Sequence, residues 1–216
     1  MIPTFFRPHL LALFISVALL WVNPSFAGSA TWNLNPVDGN WNNASNWTPN
    51  TIPNGTNDVA TFGISNKTAI NVGINDPTET VSEIVFNPGA SPYTITVPHV
   101  LDTVLYFAIT GAGISNNSGT IQNLGAADYF ATIFFTGEAS AGSDTAILAG
   151  GRATGTLPGQ VEFLDDATAG SATVTANHGV IMFNNHSTAA NATLIAEAGP
   201  TNVGGEIEFR ENSMGD

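Results

Sequence analysis

Apolar and polar positions alternate along most of this chain, and Gly, Pro and Asn interrupt the alternation at short intervals. "ETVSEIVF", "YTITV" and "DTVLYFAIT" alternate or run apolar with β-branched and aromatic residues, the pattern of strands. A turn-rich connection, "GAGISNNSGTIQNL", leads to another strand in "YFATIFF". Upstream, "DVATFG" and "KTAINVG" also predict strands, and no helical period runs through that part.

The final third repeats. Ile133-Phe134-Phe135, Val161-Glu162-Phe163, Ile181-Met182-Phe183 and Ile207-Glu208-Phe209 share one frame, with the last Phe of each 28, 20 and 26 residues apart. Ala139, Ala167, Ser187 and Ser213 each lie four residues after that Phe, and "DTAIL", "ATVTA" and "ATLIA" come later. Periods in this range mark stacked architectures. Alternate residues of a strand share a face, so Val161 and Phe163 point one way and Glu162 the other. A coil of this kind cannot bury its apolar face alone, but stacked coils share one core. Parallel neighbours about 4.8 Å apart place like residues above like. Phe135, Phe163, Phe183 and Phe209 are therefore expected to form an internal stack. The expected fold is all-β, a parallel β-helix (β-solenoid), with extra residues such as "GGRATGTLPGQ" bulging out as loops. A β-sandwich with similar strands is the alternative, because strands at this spacing also suit sandwiches.

The segment before Asp76 has a different texture. Nine Asn lie between Asn33 and Asn57, together with Trp32, Trp41 and Trp47, and the turn signals Asn35-Pro36, Asp38-Gly39 and Pro53-Asn54-Gly55. The three Trp are candidate carbohydrate contacts, because exposed aromatics stack on sugar rings. The competing reading, which we favour, is a cap that covers the first coil of a solenoid. The expected organisation is a signal peptide over 1–27, a Trp/Asn-rich cap over 28–75 and solenoid repeats over 76–216.

Composition narrows the function. The first 27 residues hold Arg7, the uncharged run Leu10 to Val22, and small residues at Ser25 and Ala27. This is the pattern of a cleavable secretory signal, and its apolar run is too short for an ordinary membrane span. No later stretch resembles a membrane span, so none is expected in the mature chain. Export, to the extracellular space or the outer cell surface, is the expected localisation. The chain has no Cys, so an exported product cannot be a small disulfide-stapled scaffold. Only 10% of residues are charged, and the formal charge is -13, with four Lys and Arg against seventeen Asp and Glu. Nucleic acid is excluded as a partner, because counterion release needs basic patches.

"WNLNPVDGNWNNASNWTPNTIPNGTNDVATF", "ITGAGISNNSGTIQNL" and the "F...ATAGSATV" and "F...STAANATL" units resemble bacterial secreted proteins with autotransporter-associated β-strand repeats. The resemblance covers nearly all of the expected mature chain. It implies a right-handed β-helix of the passenger type, displayed on the cell or released, with a structural or adhesive role. Surface glycans, other cells or self-association would be its partners. The fourth Phe unit begins just before Asp216, so the repeat array is expected to be truncated, without the translocator barrel of that family.

Catalysis finds little support. Asp165 and Asp166 are adjacent, with Glu162 on the same strand, and carboxylates on a coil face could do acid–base work on a polysaccharide. Adjacent residues of an extended segment point to opposite faces, and the next unit carries Asn185 and His186 there. A solvated turn is the simpler reading. His178 and His186 lack the further ligands a zinc site needs. No phosphate loop, dinucleotide fingerprint or Gly-x-Ser-x-Gly elbow occurs. No catalytic residue, metal ligand or cofactor is expected. Two rival functions stay open: a polysaccharide-active enzyme on the same scaffold, and a Trp-mediated sugar-binding module.

Overall fold

The period-two alternation produces short strands. A computed structural model describes residues 28–74, 76–128, 130–151, 158–198 and 204–215. The signal expected over 1–27 lies outside the described residues, as does most of the loop between Gly150 and Gln160. In chain order the strands begin with β1 (Ala30–Trp32), β2 (Trp47–Thr48), β3 (Gly55–Phe62), β4 (Ala69–Asn71) and β5 (Thr78–Phe86). They continue with β6 (Thr94–Val97), β7 (Leu105–Asn116), β8 (Gln122–Ala126), β9 (Ala131–Phe135) and β10 (Ser143–Ala149). The last are β11 (Gln160–Phe163), β12 (Ser171–Ala176), β13 (Val180–Phe183), β14 (Thr193–Ala196) and β15 (Glu206–Phe209).

The strands form two sheets. One has the order β15-β13-β11-β9-β7-β5-β3-β1-β2, and the other β14-β12-β10-β8-β6-β4. From β3 onward the chain alternates between them, and each strand pairs in parallel with the strand two places on. A sandwich of hairpins would pair sequential strands antiparallel, and among the described residues only strands β1 and β2 do so. The fold is a parallel β-solenoid. Both sheets already contain strands from the Trp/Asn-rich segment, since β3 and β4 pair with β5 and β6. The change of texture near Asp76 is therefore no break in the wall. It reflects a different choice of wall residues within one continuous stack.

The register is what the repeat requires. Phe135, Phe163, Phe183 and Phe209 are direct partners across β9, β11, β13 and β15. Their rings stack with centroids 4.8, 4.7 and 4.8 Å apart and planes within 10° of parallel. The spacing is that of the strands themselves, so the backbone ladder imposes it. Beneath this column the Ala139, Ala167, Ser187, Ser213 series turns the corner. The hydroxyls of Ser187 and Ser213 donate to the carbonyls of Phe163 and Phe183, at 3.0 and 2.9 Å. The buried Ser187 hydroxyl and the half-buried Ser213 hydroxyl are thus both paired.

The corners are also ladders. The side-chain oxygens of Ser140, Thr168 and Thr188 accept from the N–H groups of Gly142, Gly170 and Ala190, at 3.1, 3.0 and 3.0 Å. Those acceptors fix a turn whose third residue has φ 76, 61 and 50°. Glycine takes this left-handed conformation without steric cost, and alanine does not. Ala190→Gly should therefore raise the unfolding free energy by up to about 1 kcal/mol, the left-handed penalty less the extra backbone entropy of glycine. Urea unfolding checks it, and a loss of stability would contradict this account of the corner.

Candidate functional site

The three Trp proposed as sugar contacts are inside. Trp32, Trp41 and Trp47 are 2%, 0% and 0% exposed. Trp47 meets Trp32 and Trp41 edge-on at 5.0 and 4.9 Å, and Trp41 also meets Phe107 at 5.2 Å. Their indole N–H groups donate to the backbone carbonyls of Lys67, Pro53 and Trp41, respectively. Three large apolar bodies with satisfied polar tips pack on one another and on Phe62, and no ring face is left for a saccharide. Asn46, fully buried, ties this end together. Its amide donates to Asp38 Oδ1 and the Asn40 carbonyl, and its oxygen accepts from the Val37 and Asp38 N–H groups.

Asp165 and Asp166 sit in a corner of the solenoid. Asp165, Asn185 and Glu211 occupy successive coils at φ 58, 60 and 58°. Asp165 Oδ2 accepts from the Gly137 N–H at 3.1 Å. The Asn185 side chain accepts from the Asp165 N–H at 3.2 Å and donates to Glu211 Oε2 at 2.9 Å. These polar side chains hold one turn against the next. His178, at φ 58°, contacts the Asn177 oxygen at 2.6 Å, and His186 is an exposed turn residue. Among the described residues, no group of three or more His, Asp or Glu could hold a metal ion.

The outer face of the first sheet holds a more informative feature. Outward residues form two rows there. The register aligns Tyr106 with Thr132 and Gln160, and Ala108 with Phe134 and Glu162. Thr132 is small and nearly buried, and it lies between larger neighbours on three strands. The result is a depression of about 380 Å³ lined by Tyr106, Phe130, Thr132, Phe134, Gln160 and Glu162, among others. Tyr106 is 38% exposed, and its ring lies 5.6 Å from that of Phe134, tilted by 40°. Phe130 enters β9 at φ 64°, an uncommon conformation for an aromatic residue. Burial pushes the Glu162 carboxyl above its ordinary range, and the nearby Arg210 guanidinium partly opposes that. Met182 and Glu208 continue the Phe134–Glu162 row, and Glu208 pairs with Arg210.

The outer face of the second sheet has a larger groove of about 680 Å³. Thr94, Thr96, Asn123, Leu148 and Thr175 line it, with Glu197 at one end, and it contains no aromatic ring. Sequence reasoning recognised that residues between the buried partners point outward, but it singled out none of the residues of the Tyr106–Glu162 depression except Glu162. The available signal was the pair of aromatics in "YFAIT" and "YFATIFF", where one of two adjacent rings must face solvent.

One carboxylate is buried within the core. Glu79 on β5 pairs in register with Phe107, an inward position, and is 0% exposed. The Asn42 amide donates to its Oε1, while Oε2 has no hydrogen-bond partner. Burial raises its pKa from 4.5 to about 8, against the Asn42 hydrogen bond and with a smaller push from Asp76. It lies at an enclosed position beside the Trp end, which suits a stability role. Comparison with family models, curated proteins and solved structures returned no match for the chain.

Proposed function

We propose that this chain is an exported, surface-displayed solenoid that acts as a structural or adhesive element without catalysis. The observation that carries the reading is the wall itself. The second sheet presents long outward rows dominated by Thr, Asn, Gly and Ala, such as the row Thr94, Asn123, Ala146, Thr173 and Thr193. Such rows offer an extended, uncharged contact surface held rigidly by packed coils. The low charge content and the secretory pattern of the first 27 residues support export. The resemblance of the Trp segment and small-residue units to autotransporter-associated repeats points the same way.

Protease treatment of intact producing cells tests display, and adhesion of cells lacking the protein tests the role. The expected results are loss of the chain from intact cells without lysis and at least a several-fold drop in cell–surface or cell–cell adhesion. A chain protected inside the cell would overturn the reading, as would unchanged adhesion in its absence.

A further inference from the structure

We infer that the depression bounded by Tyr106, Phe134, Gln160 and Glu162 is a binding site for a neutral oligosaccharide. The inference deepens the adhesive reading above and rests on it, since it names the face and the chemistry of contact.

Three observations converge. The first is the ring surface. Tyr106 and Phe134 come from adjacent strands, sit in different rows, and meet diagonally at 5.6 Å, so they form a tilted aromatic platform on this face. The C–H faces of a pyranose pack on such rings and bury apolar area. The second is the polar complement. Gln160 and Glu162 stand on the next strand at the same two row positions as Thr132 and Phe134. A carboxylate accepts from sugar hydroxyls, and an amide both accepts and donates. A few placed polar groups beside apolar walls are what fixes a small ligand in a pocket. The third is charge. Seventeen acidic residues against four basic ones, with Glu162 in the site, disfavour uronic acids, sulfated glycans and nucleic acids, and Arg210, already paired with Glu208, offsets this only in part.

A peptide partner fits less well. Strand addition needs an open sheet edge, and β7, β9 and β11 are each paired on both sides. The depression is lined from three neighbouring strands, about 10 Å across, which is short for a helix-binding groove. Its scale suits one or two sugar rings, with further units lying along the Thr132–Gln160 and Phe134–Glu162 rows.

Calorimetric titration of the full chain with neutral hexasaccharides tests the inference. The panel would hold β-1,4-glucan, β-1,4-xylan, α-1,4-glucan and β-1,4-N-acetylglucosamine oligomers, with polygalacturonate as the anionic comparison. At least one neutral oligomer should bind saturably, and polygalacturonate should not. Tyr106→Ala should weaken that binding at least about tenfold. Because Tyr106 lies outside the core, the variant should keep the parent's circular dichroism, with a thermal midpoint lowered by about 2–4 °C at most. Glu162→Gln should weaken binding severalfold, and Leu148→Ala, on the other sheet, should leave it unchanged. Binding of no panel member would overturn the inference, as would full binding by Tyr106→Ala or preference for the anionic polymer. Cells that still adhere through the chain while no neutral oligomer binds would sink the saccharide site and leave the adhesive reading standing. A chain that never reaches the cell surface would sink that reading on its own.

Discussion

Phe163→Ala is expected to cost about 3–5 kcal/mol of unfolding free energy. Phe163 is fully buried, and its ring is covered on both faces, by Phe135 at 4.8 Å and Phe183 at 4.7 Å. Truncation removes the ring's own burial and also opens a cavity between two rings that cannot close it. Those rings are held apart by β11, whose backbone still spans the gap after mutation. The wall can therefore relax little, and the cost belongs at the upper end of large-to-small substitutions. Phe209 supplies the internal comparison. It stacks on Phe183 with the same geometry but is 42% exposed, so Phe209→Ala should cost about 1 kcal/mol. Urea unfolding of both variants measures the difference. Equal and small losses would mean that the column contributes no packing energy. A loss at Phe163 with a reduced m-value would mean that coils uncouple, which stacked repeats permit when one interface fails.

That column was legible in the sequence because buried positions are constrained by their neighbours. Val161 and Phe163 recur as Ile181 and Phe183 since each must pack on its own equivalent in the next coil. The same logic predicted the small series Ala139, Ala167, Ser187 and Ser213. It also carried a signal that was not read. Gly159, Gly179 and Gly205 each lie four residues before a stacked Phe. A Cβ at these positions would stand 2.6, 2.2 and 1.9 Å from the carbonyl oxygens of Ala126, Ala149 and Ala176. The corner brings backbone against backbone, which only glycine allows.

The N-terminal segment differs in composition but not in pairing. Its Asn-rich turns set it apart in the sequence, while β3 and β4 join the same two sheets as the repeats. Asn54 shows how such a residue serves the wall, since its side chain accepts from the Thr80 N–H at 3.0 Å. The Trp ambiguity could not be resolved by pattern, because burial and exposure of a ring near a chain end depend on what folds over it. Outward residues had a deeper reason for being missed. Packing does not constrain them, so they carry no repeat. Tyr106 and Phe134 fall at different row positions, and their contact is a diagonal that no alignment of repeat units would reveal.

The second large effect is a dependence of stability on pH, centred on Glu79. Its folded pKa is raised from 4.5 to about 8, chiefly by burial. Below pH 4.5 the carboxyl is neutral in both the folded and unfolded chain, and its contribution to stability is fully present. Between these two values the unfolded chain ionises while the folded chain keeps its proton. The folded state then binds more protons, so stability falls as pH rises, by about 1.4 kcal/mol for each unit of full difference. Above pH 8 both forms are ionised, the loss is complete, and a charge with one unpartnered oxygen sits beside Phe107. The Asn42 amide offsets part of this, and so does any relaxation of the chain toward solvent. A net loss of about 2–4 kcal/mol between pH 5 and pH 8.5 is the expected size. Glu79→Gln keeps the shape and can still accept from Asn42 while it cannot ionise. It should match the parent near pH 4.5 and exceed it by that amount at pH 8.5. Unfolding curves for the two proteins across this range isolate the term, because the other carboxylates are common to both. Parallel pH profiles would show that Glu79 ionises freely in the folded chain, and the enclosed position beside Trp41 would then have to admit water.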